Sequence, residues 1–147
     1  MKNKLFASGK GSRSGFSILE VLVVLVIISV LLGIAAPSFR RATEQTQCSI
    51  AAANLQAVWG AQRFYWLENH QYSPDFISLL GMVDPSISTA ATPYVYSIQI
   101  IDKNTFSVTA TRIGSVTWSG QLIIDQTGVL TGVIQSPGQQ NIVPASQ

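Results

Sequence analysis

The chain has 147 residues, 47% of them hydrophobic and only 11% charged, with a formal net charge of +2. That length is about one domain, and a charged fraction so far below the ~25% usual in soluble domains implies a localised apolar segment. A single cysteine, Cys48, excludes an intrachain disulfide, and a single histidine, His70, excludes a two-histidine metal site.

The apolar excess lies near the amino terminus. Lys2, Lys4, Lys10 and Arg13 precede Gly15 with no acid among them, and then 21 residues, Phe16 to Ala36, carry one charge, Glu20. Four of the nine basic residues are thereby used, so residues 16–147 keep five against seven acidic ones, a formal −2. The basic balance belongs to the leader and argues for no nucleic-acid partner. A helix of that length reaches roughly 30 Å, enough to cross the hydrocarbon core. Basic residues ahead of it favour a cytoplasmic amino terminus, although Arg40 and Arg41 just beyond it reduce the contrast. A cleaved secretory signal would place a small-residue site near Gly33-Ile34-Ala35, but its apolar region is usually shorter and holds no carboxylate. A plain signal anchor would leave Glu20 unexplained.

The stretch "GFSILEVLVVLVIISVLLGIAAPSF" closely resembles the prepilin signature of type IV pilins and type II secretion pseudopilins. The resemblance covers about Gly11 to Ala42. It implies that residues 1–15 are a leader peptide, removed by a prepilin peptidase between Gly15 and Phe16. It also implies that the same enzyme N-methylates Phe16, and that Pro37 is the proline usual in such spans. Glu20, fifth after the cut, would pair with the amino group of Phe16 on a neighbouring subunit. The bland alternative is that Glu20 snorkels to the headgroups. Mid-span, a carboxylate costs about 2.5–3.5 kcal/mol, and less near a span's end.

Pro37 lacks an N–H and clashes with the preceding turn, so it should kink the helix without ending it. Helical spacing resumes at once through Cys48, Ala52, Leu55, Trp59, Gln62 and Trp66, widened by Ala51, Val58 and Tyr65. Gln62 is a polar gap in that seam, and Asn54, Gln56 and Arg63 lie off it. One helix is predicted from about Phe16 to Asn69. Ser73 is predicted to cap a short helix with Pro74 first and Gly81 beyond its end. Residues 82–93 read as loop. The period then becomes two: Tyr94, Tyr96, Ile98 and Ile100 alternate with Val95, Ser97 and Gln99, Asp102-Lys103-Asn104 turns, and Phe106, Val108 and Ala110 alternate with Ser107 and Thr109. Gly114 marks the next turn, Gln121–Asp125 a third strand, Gly128 a turn and Val129–Val133 a short fourth strand. Residues 135–147 read as a flexible tail.

The fold class expected is α+β: a long amino-terminal transmembrane helix packed on a three- to four-stranded antiparallel sheet, which again resembles the pilin fold. The domain plan is leader 1–15, membrane or filament-core helix 16–36, helix continuation and head 37–134, and tail 135–147. No catalytic constellation, cofactor or metal is expected. Cys48 reads as a packed small residue, His70 as exposed or capping, and Trp59, Trp66 and Trp118 as core. Asp125-Gln126-Thr127-Gly128 reads as a hairpin turn; the resemblance to pseudopilins implies that it could instead offer oxygen ligands to calcium, although its spacing does not fit an EF-hand loop. The resemblance implies a structural subunit of a type IV pilus or type II secretion pseudopilus, not an enzyme. Its partners would be prepilin peptidase, other pilin or pseudopilin subunits and the inner membrane, with the head extracytoplasmic. The small head and absent disulfide fit a pseudopilin; Pro37 and the strand-rich ending fit a pilin. A minor pilin serving as a tip module for adhesion or DNA uptake is the alternative.

Overall fold

A computed structural model of the chain describes residues 15–89 and 93–144, without the side chains of residues 35–37. Most of the basic leader, Lys2 to Arg13, lies outside the described residues. The chain divides into two units, Met1–Arg40 and Arg41–Gln147. Helix α1 spans Ile18–Asn69 and so belongs to both. In the second unit four strands follow: β1 (Tyr94–Asp102), β2 (Thr105–Arg112), β3 (Ser119–Asp125) and β4 (Leu130–Gln135), all antiparallel neighbours in the order β1-β2-β3-β4.

The core of the second unit joins one face of α1 to one face of this meander. Glu44, Cys48, Ala51, Ala52, Leu55, Val58, Ala61 and Gln62 are buried at spacings of three and four along the helix. The sheet contributes alternate residues from each strand, as a period of two requires: Tyr94 and Tyr96, then Phe106, Val108 and Ala110, then Leu122 and Ile124, then Ile134. Register puts these in rows. Ile98, Val108, Ile124 and Leu130 form one; Tyr96, Ala110, Leu122 and Gly132 form the next, where large and small residues alternate. Gly132 has φ +107°, and a Cβ there would lie 2.2 Å from the Gln121 carbonyl oxygen, so only glycine fits. Ile101 follows Val95, Ser97 and Gln99 on the exposed face, and the register shifts between Ile100 and Asp102.

The seam read from sequence is right in direction and wrong at its margins. Trp59 and Trp66 are half-buried at the edge of the core, whereas Trp118 is inside. Gln62 is fully buried and satisfied: its Nε2 donates to the Ser73 carbonyl and its Oε1 accepts from the Ser73 N–H, both at 2.8 Å. That clamp holds the Ser73 backbone, and the Ser73 hydroxyl accepts from the Asp75 N–H at 3.3 Å, but no helix starts there. The expected short helix is a single 3-10 turn, Ile77–Leu79, which starts after Phe76 without a side-chain cap. Ser73 Oγ also donates to the Asp75 carbonyl. Within the stretch expected to be loop, Asp84 caps a second 3-10 turn, Pro85–Ile87, by accepting from the Ser86 N–H, and Ile87 is buried. The fourth strand starts one residue later and runs two further than expected. The end of the chain is not loose as far as it is described. Ile142 is buried and exchanges two backbone hydrogen bonds with Ile134, at 2.9 and 2.8 Å.

Candidate functional site

Residues 15–17 lead into the first turn of α1. The Ser17 carbonyl accepts from the N–H groups of Glu20 and Val21, at 3.0 and 3.2 Å, so the helix begins there and Glu20 falls in its first turn. A carboxylate is favoured at that end by the helix dipole. Every described side chain from Gly15 to Ile34 is exposed, Phe16 by 80%. A helix apolar on all sides needs an apolar surrounding, because each Leu, Ile, Val or Phe gains about 1.5–3 kcal/mol on leaving water. Two polar side chains interrupt Ile18–Ile34. Ser29 is satisfied within the helix, donating to the Leu25 carbonyl at 2.7 Å. Glu20 has no such internal solution among the described residues.

Gly15, Phe16 and Glu20 thus gather at one helix end, and Pro37 stands well apart. The helix assignment runs through Pro37, whose side chain lies outside the described residues. No single helix among the described residues is long and apolar enough to cross a membrane by itself; Ile18–Ile34 and Ser38–Asn69 meet that test only when taken together. Ile18–Ile34 alone falls short of the ~20 residues a span needs, and the sequence expectation depended on adding Phe16, Ser17 and the residues around Pro37.

The head holds a second cluster, which sequence reading missed. The carboxylate of Glu44 accepts from Arg112 Nε at 2.6 Å and from Nη2 at 3.0 Å, a two-pronged pair with both side chains buried. Arg112 Nη1 donates to the carbonyls of Pro93, at 3.1 Å, and Ile113. The guanidinium lies 5.7 Å from the centre of the Tyr94 ring. Burial, and secondarily Glu44, pushes the Cys48 thiol up from its ordinary value, and a hydrogen bond with Tyr94 partly offsets this. Burial also pushes the Tyr94 phenol up. A buried thiol held protonated is a poor nucleophile, and the Glu44–Arg112 pair fastens the sheet to the helix. The available signal was position: Glu44 precedes Cys48 by four residues and extends the apolar seam by one turn.

The remaining candidates are structural. His70 is exposed at the helix end, with φ 54° and its ring edge-on to Trp66. The Asp125 carboxylate accepts from the Thr127 N–H and hydroxyl, and the Gly128 N–H reaches the Asp125 carbonyl, closing a hairpin turn. Trp59 Nε1 donates to the Gln126 carbonyl at 3.2 Å, and its ring sits 3.1 Å from where a Gly128 Cβ would be. Among the described residues no three His, Cys, Asp or Glu side chains gather as metal ligands.

Residues 10–36 match the family described as the prokaryotic N-terminal methylation motif. The amino terminus carries that motif. The chain is 36% identical over 67 residues to the type IV major pilin protein PilA of Myxococcus xanthus, covering 46% of the chain and 30% of that protein. It is 24% identical over 107 residues to the type IV wide pilus major component PilA4 of Thermus thermophilus, covering 73% and 79%. It is 32% identical over 83 residues to the type II secretion system core protein G of Escherichia coli, covering 56% and 57%. The chain therefore spans under a third of the first relative and little over half of the third. The long helix followed by a four-stranded antiparallel sheet is the α+β, pilin-like arrangement expected from the sequence.

Proposed function

We propose that the chain is a structural subunit of a type IV pilus or a type II secretion pseudopilus, made as a prepilin. Prepilin peptidase cuts between Gly15 and Phe16 and methylates the new terminus at Phe16; the chain is that enzyme's substrate and not itself an enzyme. Phe16–Ala36 anchors the subunit in the inner membrane, amino terminus cytoplasmic and head outside, until assembly moves the helix into a filament core. Pro37 kinks the helix between the two regions. The observation that supports the reading is a helix, Ile18–Ile34, exposed on all sides, whose only charged side chain among the described residues, Glu20, lies within the matched motif. The tip-module alternative is not favoured, since the relatives are named as major or core components.

Assembly follows from electrostatics. Cleavage leaves an ammonium at Phe16, and a neighbour's Glu20 neutralises it in a dry interface, where an unpaired charge costs several kcal/mol. The pairing also sets the stacking register. Glu20→Ala should leave membrane insertion and head folding intact and abolish or misregister the filament. Glu20→Asp should retain part of the yield, and Glu20→Gln should behave nearer to alanine. Sheared filament or pseudopilus yield, scored beside cleavage and membrane content, tests this. Wild-type assembly by Glu20→Ala alone, without wild-type subunits, would remove the pairing and leave snorkelling as the reason for the carboxylate.

A further inference from the structure

The two edges of the sheet differ. The outer edge of β4 is covered where Ile134 and Ile142 exchange two backbone hydrogen bonds. The other edge strand, β1, pairs with β2 on one side only. The Ile113 N–H donates to the Pro93 carbonyl at 2.9 Å, which continues the β1–β2 register one pair beyond Tyr94–Arg112. In an antiparallel ladder, bonded pairs alternate with unbonded ones. Counting from Pro93, the backbone groups of Val95, Ser97 and Gln99 face β2, and those of Tyr96, Ile98 and Ile100 face away from it. Among the described residues, those three have no backbone hydrogen-bond partner on that outer side.

Sheets usually guard such an edge with lysine, proline, a bulge or a covering segment. From Tyr94 to Ile101 there is no charged residue and no proline. The register shift between Ile100 and Asp102 comes at the strand's end and leaves Val95 to Ile100 in regular register. The side chains on the outer face of this run, Val95, Ser97, Gln99 and Ile101, are all exposed. Aromatic and β-branched residues, which suit extended pairing, make up most of the strand.

The edge is also complementary to itself. A two-fold axis at Ile98 brings outward backbone groups onto outward ones. Ile98 meets Ile98 of a second copy, and Tyr96 meets Ile100 on either side, as pairs that each exchange two hydrogen bonds. The same axis sets Val95 opposite Ile101 of the second copy and Ser97 opposite its Gln99. The exposed apolar side chains of the strand thereby cover one another, and no charge faces a like charge across the seam.

We propose that β1 is a pairing edge for a second copy of this chain: two heads join β1 to β1, antiparallel about Ile98, into one continuous sheet. A two-fold contact closes on itself, so it pairs subunits and does not propagate a filament. The proposal goes beyond the filament reading and depends on the head alone.

The test uses the full chain in detergent micelles, kept in excess over protein, in a Cys48→Ala background. Ser97→Cys and Gln99→Cys chains are mixed in equal amounts and oxidised. Opposite residues of an unbonded pair have Cα atoms ~4.5 Å apart, within the ~4.4–6.8 Å that a disulfide spans, whereas residue 97 and its own copy would be diagonal neighbours at ~7–8 Å. Disulfide dimer several-fold above that from Ser97→Cys alone, and above that from Gln99→Cys mixed with Thr131→Cys on β4, is expected. In the parent chain, hydrogen exchange at the Tyr96, Ile98 and Ile100 amides should slow several-fold as protein concentration rises, while residues 114–117 stay unchanged. Equal dimer yield with Thr131→Cys would trace association to another surface and overturn the proposal. The highest yield from Ser97→Cys alone would overturn the axis at Ile98. Exchange at the three amides that is slow at every concentration would mean an edge covered within the subunit, and exchange that is fast at every concentration an edge that never pairs; either overturns it. Cleavage at Gly15 is untouched by these outcomes, so the filament reading stands or falls separately.

Discussion

Removing the Glu44 carboxylate tests how the head is held to its helix. The Glu44 and Arg112 side chains are only 5% and 9% exposed, and the pair is bidentate. Glu44→Ala leaves a guanidinium buried with two of its acceptors, the Pro93 and Ile113 carbonyls, still in place. Breaking a buried pair on one side generally costs about 3–5 kcal/mol. The two surviving carbonyl contacts put this site at the lower end, near 3 kcal/mol. The double variant Glu44→Met with Arg112→Met removes both charges and keeps apolar volume, so it should lie within about 1 kcal/mol of the parent. Guanidinium denaturation of the full chain in detergent micelles, followed by near-ultraviolet circular dichroism of the head tryptophans, gives both numbers. The reasoning fails if Glu44→Ala costs under 1 kcal/mol, or if the double variant is as unstable as the single one.

Two further outcomes follow from the head. Trp59 is half-buried and bonded to Gln126, so Trp59→Ala should cost about 1.5–3 kcal/mol, below the ~3–5 of a fully buried tryptophan. Trp59→Phe should isolate the lost hydrogen bond at about 1 kcal/mol in the same denaturation assay. Burial raises the Cys48 thiol and the Tyr94 and Tyr96 phenols above their ordinary values of 9.0 and 10.0. The folded state then holds these protons after the unfolded state has lost them. Stability should therefore be full below pH 9 and fall as pH rises beyond it. A Cys48→Ala variant should show a later onset of that loss; a stability flat to pH 11 would contradict the assignment.

Much of the fold was legible because its signals are periodic. Spacings of three and four from Cys48 to Trp66 and the alternation from Tyr94 to Ala110 each report one buried face. Partners are not periodic, and there the reading failed. Nothing local links Glu44 to Arg112, 68 residues on, or tells Gln62 that it will clamp the Ser73 backbone. Ser73 followed by proline has the form of a helix start, and its hydroxyl does accept from the Asp75 N–H, but the helical turn begins only at Ile77. Ile142 and Val143 stand in a polar stretch with only Ile142 buried, and one buried residue makes no pattern. The amino-terminal expectation has another origin: Gly15, Phe16 and Glu20 lie within six residues, and their proposed roles come from the resemblance of that stretch.

The central claim is that this chain becomes a filament subunit by losing its first fifteen residues. Intact-mass and amino-terminal sequence analysis of the protein recovered from membranes of its own host tests that directly. The account predicts a chain beginning at Phe16 with one added methyl group. A chain that retains Met1, or one that begins near Ala36, would contradict it.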